Sequence, residues 1–149
     1  MKWRLALCAA LTLAACDRLP TDPDGTLDRV RAERRFRVGL IATGGAPAGG
    51  GPEDAFLARI ARATGARPAV RHGASEPLLL DLEDGGLDLV IGPLSSESPW
   101  VERVALLEPL EAVPGPHEVQ VIPIARNGEN RWIMLLEREA RALGAEKSP

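Results

Sequence analysis

Few residues in this sequence are of types that do chemistry, and most of them gather in one stretch. Ser95, Ser96 and Ser98 follow an apolar run, Gly92-Pro93 precedes them, and Trp100 and Arg103 come shortly after. Serine hydroxyls at a strand end either donate hydrogen bonds to a polar solute or bind loop solvent. A guanidinium can hold a carboxylate bidentately, so Arg103 is either a ligand contact or an exposed or capping residue. Trp100 either floors a pocket or packs on the domain. Upstream, Asp81, Glu83, Asp84 and Asp88 form an acidic cluster. No nucleophile stands paired with a base, so no catalytic role is assigned to it. His72 and His117 lie far apart and lack metal-spaced Cys or His neighbours, so no metal site is expected. The chain is read as a non-enzyme without a cofactor.

The elements that must position these residues follow from spacing. Leu78, Leu79 and Leu82 recur at helical intervals, and Gly85-Gly86 supply a left-handed stop. Residues 87–91 are apolar except for Asp88, the length of a central strand. Its exit, Gly92 onward, forms a lip at the carboxyl end, where ligands sit in open α/β sheets.

Upstream, residues 27–33 form a short helix that Thr26 can cap, and residues 36–42 a first strand. The glycine-rich loop 43–51 joins that strand to the clearest helix, residues 52–64. Pro52 suits its first turn, Phe56, Leu57, Ile60 and Ala61 make its apolar stripe, and Gly65 stops it. The loop lacks Gly-Lys-Ser/Thr and G-x-G-x-x-G, and Glu53 and Asp54 fill the first helical turn, so nucleotide binding is not expected. Residues 66–72 are a second strand, and Ser75 caps the next helix.

Strand, helix, strand, helix, strand with right-handed crossovers implies a parallel sheet. The order 2-1-3 brings Thr43 and its loop beside residues 92–99, so the two flank one crevice. Residues 105–107 are a short strand and residues 111–116 a turn. Residues 118–125 are a fourth strand, placed near an edge because Pro123 interrupts it. Residues 131–143 form the last helix, ended by Gly144.

The chain has 149 residues, a net charge of −3 and 45% hydrophobic residues, enough for one core. Basic residues are scattered and aromatics make up 3% of the chain, so nucleic acid is excluded as a partner. Met1-Lys2-Trp3-Arg4 and the short apolar run 5–13 read as a leader, too brief to span a bilayer as a mature helix. Leu13-Ala14-Ala15-Cys16 resembles a bacterial lipobox. The resemblance implies a signal peptide over residues 1–15, lipid attachment at Cys16 and a tether over residues 16–25. Asp17 resembles an inner-membrane retention signal, so the periplasmic face of the inner membrane is the expected location. Losing Lys2 and Arg4 removes two of 18 basic residues against 21 acidic ones and leaves a net charge of −5. The soluble part is therefore not expected to lie on anionic lipid.

In order, these motifs resemble the periplasmic solute-binding proteins of ABC transporters, family 3. Thr26-Leu27-Asp28-Arg29-Val30 with Phe36-Arg37-Val38-Gly39-Leu40 is similar to the family's opening helix and "LRVGV" strand. Residues 57–65 and 79–92 are similar to its next helix and its "L..G..D..ig" core, and residues 98–110 to its "TP…R…..F..PY" segment, with Pro109-Leu110 in place of Pro-Tyr. The resemblance implies a type 2 periplasmic binding fold. One three-layer lobe is expected over residues 26–144, a mostly parallel sheet of about four to five strands with flanking helices, followed by a frayed tail. It also implies a small polar or amino-acid-like solute and a membrane transporter as partners. Thr43, Gly92, Ser95, Ser96, Ser98, Trp100 and Arg103 are the candidate ligand residues. Asp88 matches the family's Asp, with a structural hydrogen bond at the strand start. In that family the chain crosses into a second lobe after Pro-Tyr and then returns. Here Pro109 is followed almost at once by residues resembling the return, so the second lobe is absent. No Arg stands where amino-acid binders of the family hold the ligand carboxylate. The alternative function is an accessory lipoprotein that docks a partner on the exposed cleft face.

Overall fold

The computed structural model describes residues 22–42, 50–95, 97–113 and 119–147. Its elements are α1 (Thr26–Glu33), β1 (Arg35–Ile41), α2 (Pro52–Thr64), β2 (Arg67–Gly73), α3 (Ser75–Glu83), β3 (Leu89–Ser95), a 3-10 turn (Pro99–Glu102), β4 (Val104–Leu106), β5 (Glu111–Val113), β6 (Val119–Arg126) and α4 (Asn130–Lys147). Among the described residues no helix is long and apolar enough to cross a membrane.

The six strands form one sheet in the order β2-β1-β3-β6-β4, with β5 also on β6. β1 pairs with β2 and β3 in parallel, which puts the first three strands in the order 2-1-3. β6 runs antiparallel to β3, β4 and β5. β4 pairs with the last residues of β6 and β5 with its first, so together they make one interrupted edge strand.

Helices cover both faces. α1, α2 and α4 lie on one, where Phe36, Val38, Leu89 and Ile91 of the sheet meet Phe56, Ile60, Trp132 and Leu136. α3 lies on the other, where Leu78, Leu79 and Leu82 meet Val90, Ile122 and Ile124. This explains the unbroken apolar run of β3: both of its faces are buried. The α/β class and three-layer lobe agree with the expected fold. Only residues 114–118 separate β5 from β6, leaving no room for a second lobe between them.

Several local expectations are corrected. β3 starts at Leu89 and continues through Gly92 and Pro93 to Ser95, rather than ending at Ile91. β6 is interior, not near an edge, despite Pro123. The Pro123 carbonyl accepts from Leu107 N at 3.0 Å. Its missing N–H therefore faces Leu107, just past the last residue of β4, where the regular ladder stops. Part of the expected turn at 111–116 is instead β5. α4 runs through Gly144 to Lys147, because that glycine is not in the left-handed region that ends helices.

Thr26 and Ser75 are first helical residues rather than caps; Gly25 and Ala74 precede them without side-chain caps. Gly65 and Gly85 do take left-handed φ angles, 70° and 77°. Asp54 accepts from Gly50 N at 2.6 Å, so the α2 amino end is occupied by its own acid, as expected.

Candidate functional site

At the carboxyl ends of the parallel strands stand Ile41, Gly73 and Ser95. Ala42 N donates to the Gly73 carbonyl at 2.9 Å, which holds the first two strand ends together. After Ser95 the chain folds back. Ser98 N donates to the Ser95 carbonyl at 3.0 Å. Ser95 Oγ accepts from Glu97 N at 3.2 Å, and Ser98 Oγ accepts from Trp100 N at 3.4 Å. Both serines are half-buried. Each hydroxyl uses an acceptor lone pair locally, and among the described residues no group accepts its proton. The edge can therefore offer two hydroxyl donors to a polar solute, although it carries no cation of its own there among the described residues.

The other expected ligand residues fare differently. Gly92 does not lie on a lip. It is buried inside β3, and a Cβ there would collide with the side chain of Ile41. Its role is to let β1 and β3 pack closely. Trp100 is half-buried against the Leu78, Leu79 and Leu82 cluster, which is the packing alternative. Thr43, Ser96 and Cys16, the expected lipid-attachment residue, lie outside the described residues, as does His117.

Arg103 is carried away from the crevice. Val104 pairs with Arg126 at the last residue of β6, which lies level with the amino-terminal end of β3. The segment after Ser98 thus descends the face of the sheet and leaves Arg103 at the end opposite Ser95. There its guanidinium stacks over the Trp100 ring at 4.3 Å and pairs with Glu83 through two nitrogens. The expectation that Arg103 reaches a ligand at the crevice is overturned by this register.

That opposite end holds a cavity of about 200 Å3 lined by Arg29, Arg37, Asp88, Arg126, Glu129 and Trp132, among others. Asp88 is at its centre. Its carboxylate accepts from Arg29 Nη2 at 2.5 Å, Arg37 Nη2 at 2.6 Å, Arg37 Nε at 3.2 Å and the Arg37 backbone N–H at 2.7 Å. Its backbone carbonyl accepts from Trp132 Nε1 at 2.7 Å. Burial pushes the Asp88 carboxyl's pKa up, but the Arg37 and Arg29 hydrogen bonds outweigh it and hold it below the usual carboxylate range. Glu129 behaves alike: burial raises it, while hydrogen bonds from Thr26 and Asp24 and the nearby Arg126 bring it below its usual value. Both acids stay ionised near neutral pH and their oxygens are already bonded. The cluster braces the fold and is not poised for proton transfer.

Sequence reasoning placed Asp88 correctly as a strand-start hydrogen-bonding residue but missed Arg29, Arg37 and Glu129 as its surroundings. The signal lay only in Arg29 and Arg37 flanking the first strand. Nothing in sequence ties Glu129 to Thr26.

Solved structures with a similar chain path decide the architecture. The arginine-bound form of domain 1 from TmArgBP matches with a TM-score of 0.63 and 18% identity, covering 77% of this chain and 98% of that one. A point mutant of the same domain gives a TM-score of 0.66 at 18% identity, covering 80% and 98%. An ancestral cationic amino acid solute binding protein gives 0.65 at 10% identity, covering 81% and 94%. The fold is that of one lobe of a periplasmic binding protein. Family models and curated proteins yield no match to this chain. At these identities the likeness carries the fold. It extends over almost the whole of a single domain on the other side, which agrees with the short connection between β5 and β6 here. These neighbours are binding proteins rather than enzymes.

Proposed function

We propose that this chain is a lipid-anchored, periplasmic solute-binding protein of the ABC-transporter type, reduced to one lobe. It takes a small polar or amino-acid-like solute at the strand edge formed by Ser95 and Ser98, whose hydroxyl protons have no acceptor among the described residues. The observation that carries the reading is the match over 98% of a separately solved domain described as arginine-bound. The lipobox ending at Cys16 and the adjacent Asp17 support anchoring at the periplasmic face of the inner membrane, near a transporter. A single lobe covers one side of its solute, so weak binding is expected.

The test is a thermal-shift and tryptophan-fluorescence titration, starting with arginine and continuing through amino acids and organic acids. Trp100 and Trp132 are the reporters in a chain without its leader. A ligand at 100 times its Kd stabilises the protein by about 2.7 kcal/mol. No response across the panel overturns this reading.

One observation favours a second reading. The only guanidinium near the expected crevice in sequence, Arg103, is at the far end of the sheet and paired with Glu83. Without a cation to hold a carboxylate, the open edge serves an accessory lipoprotein that docks a partner protein. Crosslinking in membranes through residues beside Ser95 distinguishes the two, because docking yields a partner adduct that solute does not displace.

A further inference from the structure

Helices α1 and α4 leave a groove of about 510 Å3 between them on the outer face of the lobe. Its floor is apolar, with Leu27, Leu135 and Met134; Met134 is 57% exposed. Arg31, Arg131, Arg138 and Arg141 surround it, and Glu137 is the one acid in its lining. Arg131 is bound bidentately to Asp28 at 2.7 and 3.0 Å, Arg138 to Glu139 at 2.9 Å and Arg141 to Glu137 at 3.2 Å. The Arg131–Asp28 and Arg141–Glu137 pairs are exposed and worth little, whereas Glu139 is buried. Glu139 is also shared with Arg59 on the α2 side, 3.3 Å away. With Asp28 and Glu139 counted beside Glu137, the four arginines leave this face a net charge of +1, on a chain whose overall charge is −3.

The amino-terminal segment enters the fold beside this groove. Asp22 accepts from Leu27 N of α1 and from Arg131 N and Trp132 N of α4. Cys16 lies six residues before it in sequence, within about 20 Å of fully extended chain. From Arg131 to Arg141 the helix covers roughly 15 Å.

We infer that this face docks on an anionic phospholipid bilayer. The guanidinium groups meet lipid phosphates, for which their planar fork is suited. Met134 enters the headgroup boundary, and α4 lies along the surface as an interfacial helix does. The inference is separate from solute binding and rests on the lipid-anchor reading only for what brings the surface near. Net charge argues against such contact, but the distribution of charge on this face overrides it within a Debye length.

The test uses the chain from Asp17 to Pro149, since residues 22–147 contain the whole sheet and both cores. It is floated with vesicles of phosphatidylglycerol and phosphatidylcholine, and with vesicles of phosphatidylcholine alone. Binding is expected to the anionic vesicles only and is released by raising salt. The triple variant Arg31→Gln, Arg138→Gln, Arg141→Gln binds about 100-fold more weakly, at roughly one basic residue's contribution each. Met134→Ser weakens binding by about fivefold. Near-ultraviolet circular dichroism shows that the variants keep the native fold. Equal binding to neutral vesicles, binding to neither, or an unaffected triple variant overturns the proposal. So does a concentration-dependent dimer abolished by the same substitutions, which would make the occupant a second copy, or a preference for poly-glutamate over vesicles.

Discussion

Glu129 stands just before α4, yet its carboxylate closes the amino end of α1 by accepting the backbone N–H of Thr26 at 2.9 Å. It also accepts from Asp24 N at 2.9 Å. Asp22 returns the relation, accepting from Arg131 N and Trp132 N at the start of α4. Each helix is thus capped by an acid from the opposite end of the chain, and residues 22–25 belong to the folded lobe rather than to a free tether.

Replacing Glu129 by Ala leaves the N–H groups of Asp24 and Thr26 without acceptors at a buried helix end. The expected loss is about 2 to 3 kcal/mol, the sum of a lost cap and an orphaned donor. Glu129→Gln keeps one acceptor oxygen and loses about 1 kcal/mol. Urea unfolding followed by far-ultraviolet circular dichroism measures both, and equal losses in the two variants contradict the capping role.

Asp88 gives the stability a direction with pH. Its carboxyl titrates below the usual range in the folded state, as does that of Glu129. The unfolded chain, with carboxyls near pH 4, therefore takes up protons before the folded one does. Stability from both groups is complete above about pH 5 and is lost as pH falls through their depressed folded values. Asp88→Asn deletes one of these contributions. It costs about 2 kcal/mol at neutral pH, reduced from the fully buried case because Arg29 and Arg37 retain 29% and 28% side-chain exposure. Its urea midpoint then changes less between about pH 6 and pH 3 than that of the unaltered chain. An unchanged acid slope refutes the assignment.

How much of this could be read in the sequence depended on whether a signal was local. The α2 helix was legible because Pro52, the Phe56, Leu57 and Ile60 stripe and Gly65 all lie within fourteen residues. The parallel pairing of the first three strands followed from alternating strands and helices, and their 2-1-3 order agrees with the structure. β6 was misplaced because a proline in an interior strand is tolerated only where its neighbour ends, and that is a fact about β4, not about Pro123. The caps were missed for the same reason: Thr26 is an adequate local cap by type, but a partner 103 residues away supplies the acceptor. Arg103 was close to the crevice in sequence, and only the β4 register shows the direction in which the connecting turn runs.

Gly92 separates a packing role from a ligand role. The Cβ of an alanine there would overlap Ile41, while the backbone itself is free of a left-handed angle. Gly92→Ala should cost about 1 to 3 kcal/mol by overpacking. Adding Ile41→Ala removes the atoms in the way and should recover part of that loss, so the double variant falls short of the sum of the singles. Thermal melts of the four chains test this. Strict additivity would falsify the close-contact account.

The last prediction concerns where a solute sits. Ser95→Ala and Ser98→Ala each remove a hydroxyl donor from the strand edge. If the solute is charged, each should weaken binding by about 1.5 to 3 kcal/mol, roughly tenfold or more. Arg103→Ala should leave affinity unchanged, because Arg103 is at the opposite end of the sheet and bonded to Glu83. Its cost falls on stability alone and is at most about 1 kcal/mol, as both members of the ion pair are exposed. Titration calorimetry with the best ligand of the panel gives the affinities, and melts of the same variants give the stabilities. A loss of affinity in Arg103→Ala with the two serine variants unaffected would move the site to the Trp100 face. Losses confined to the serine variants keep it at the carboxyl end of β3, where two hydroxyl protons are the donors the described edge has to offer.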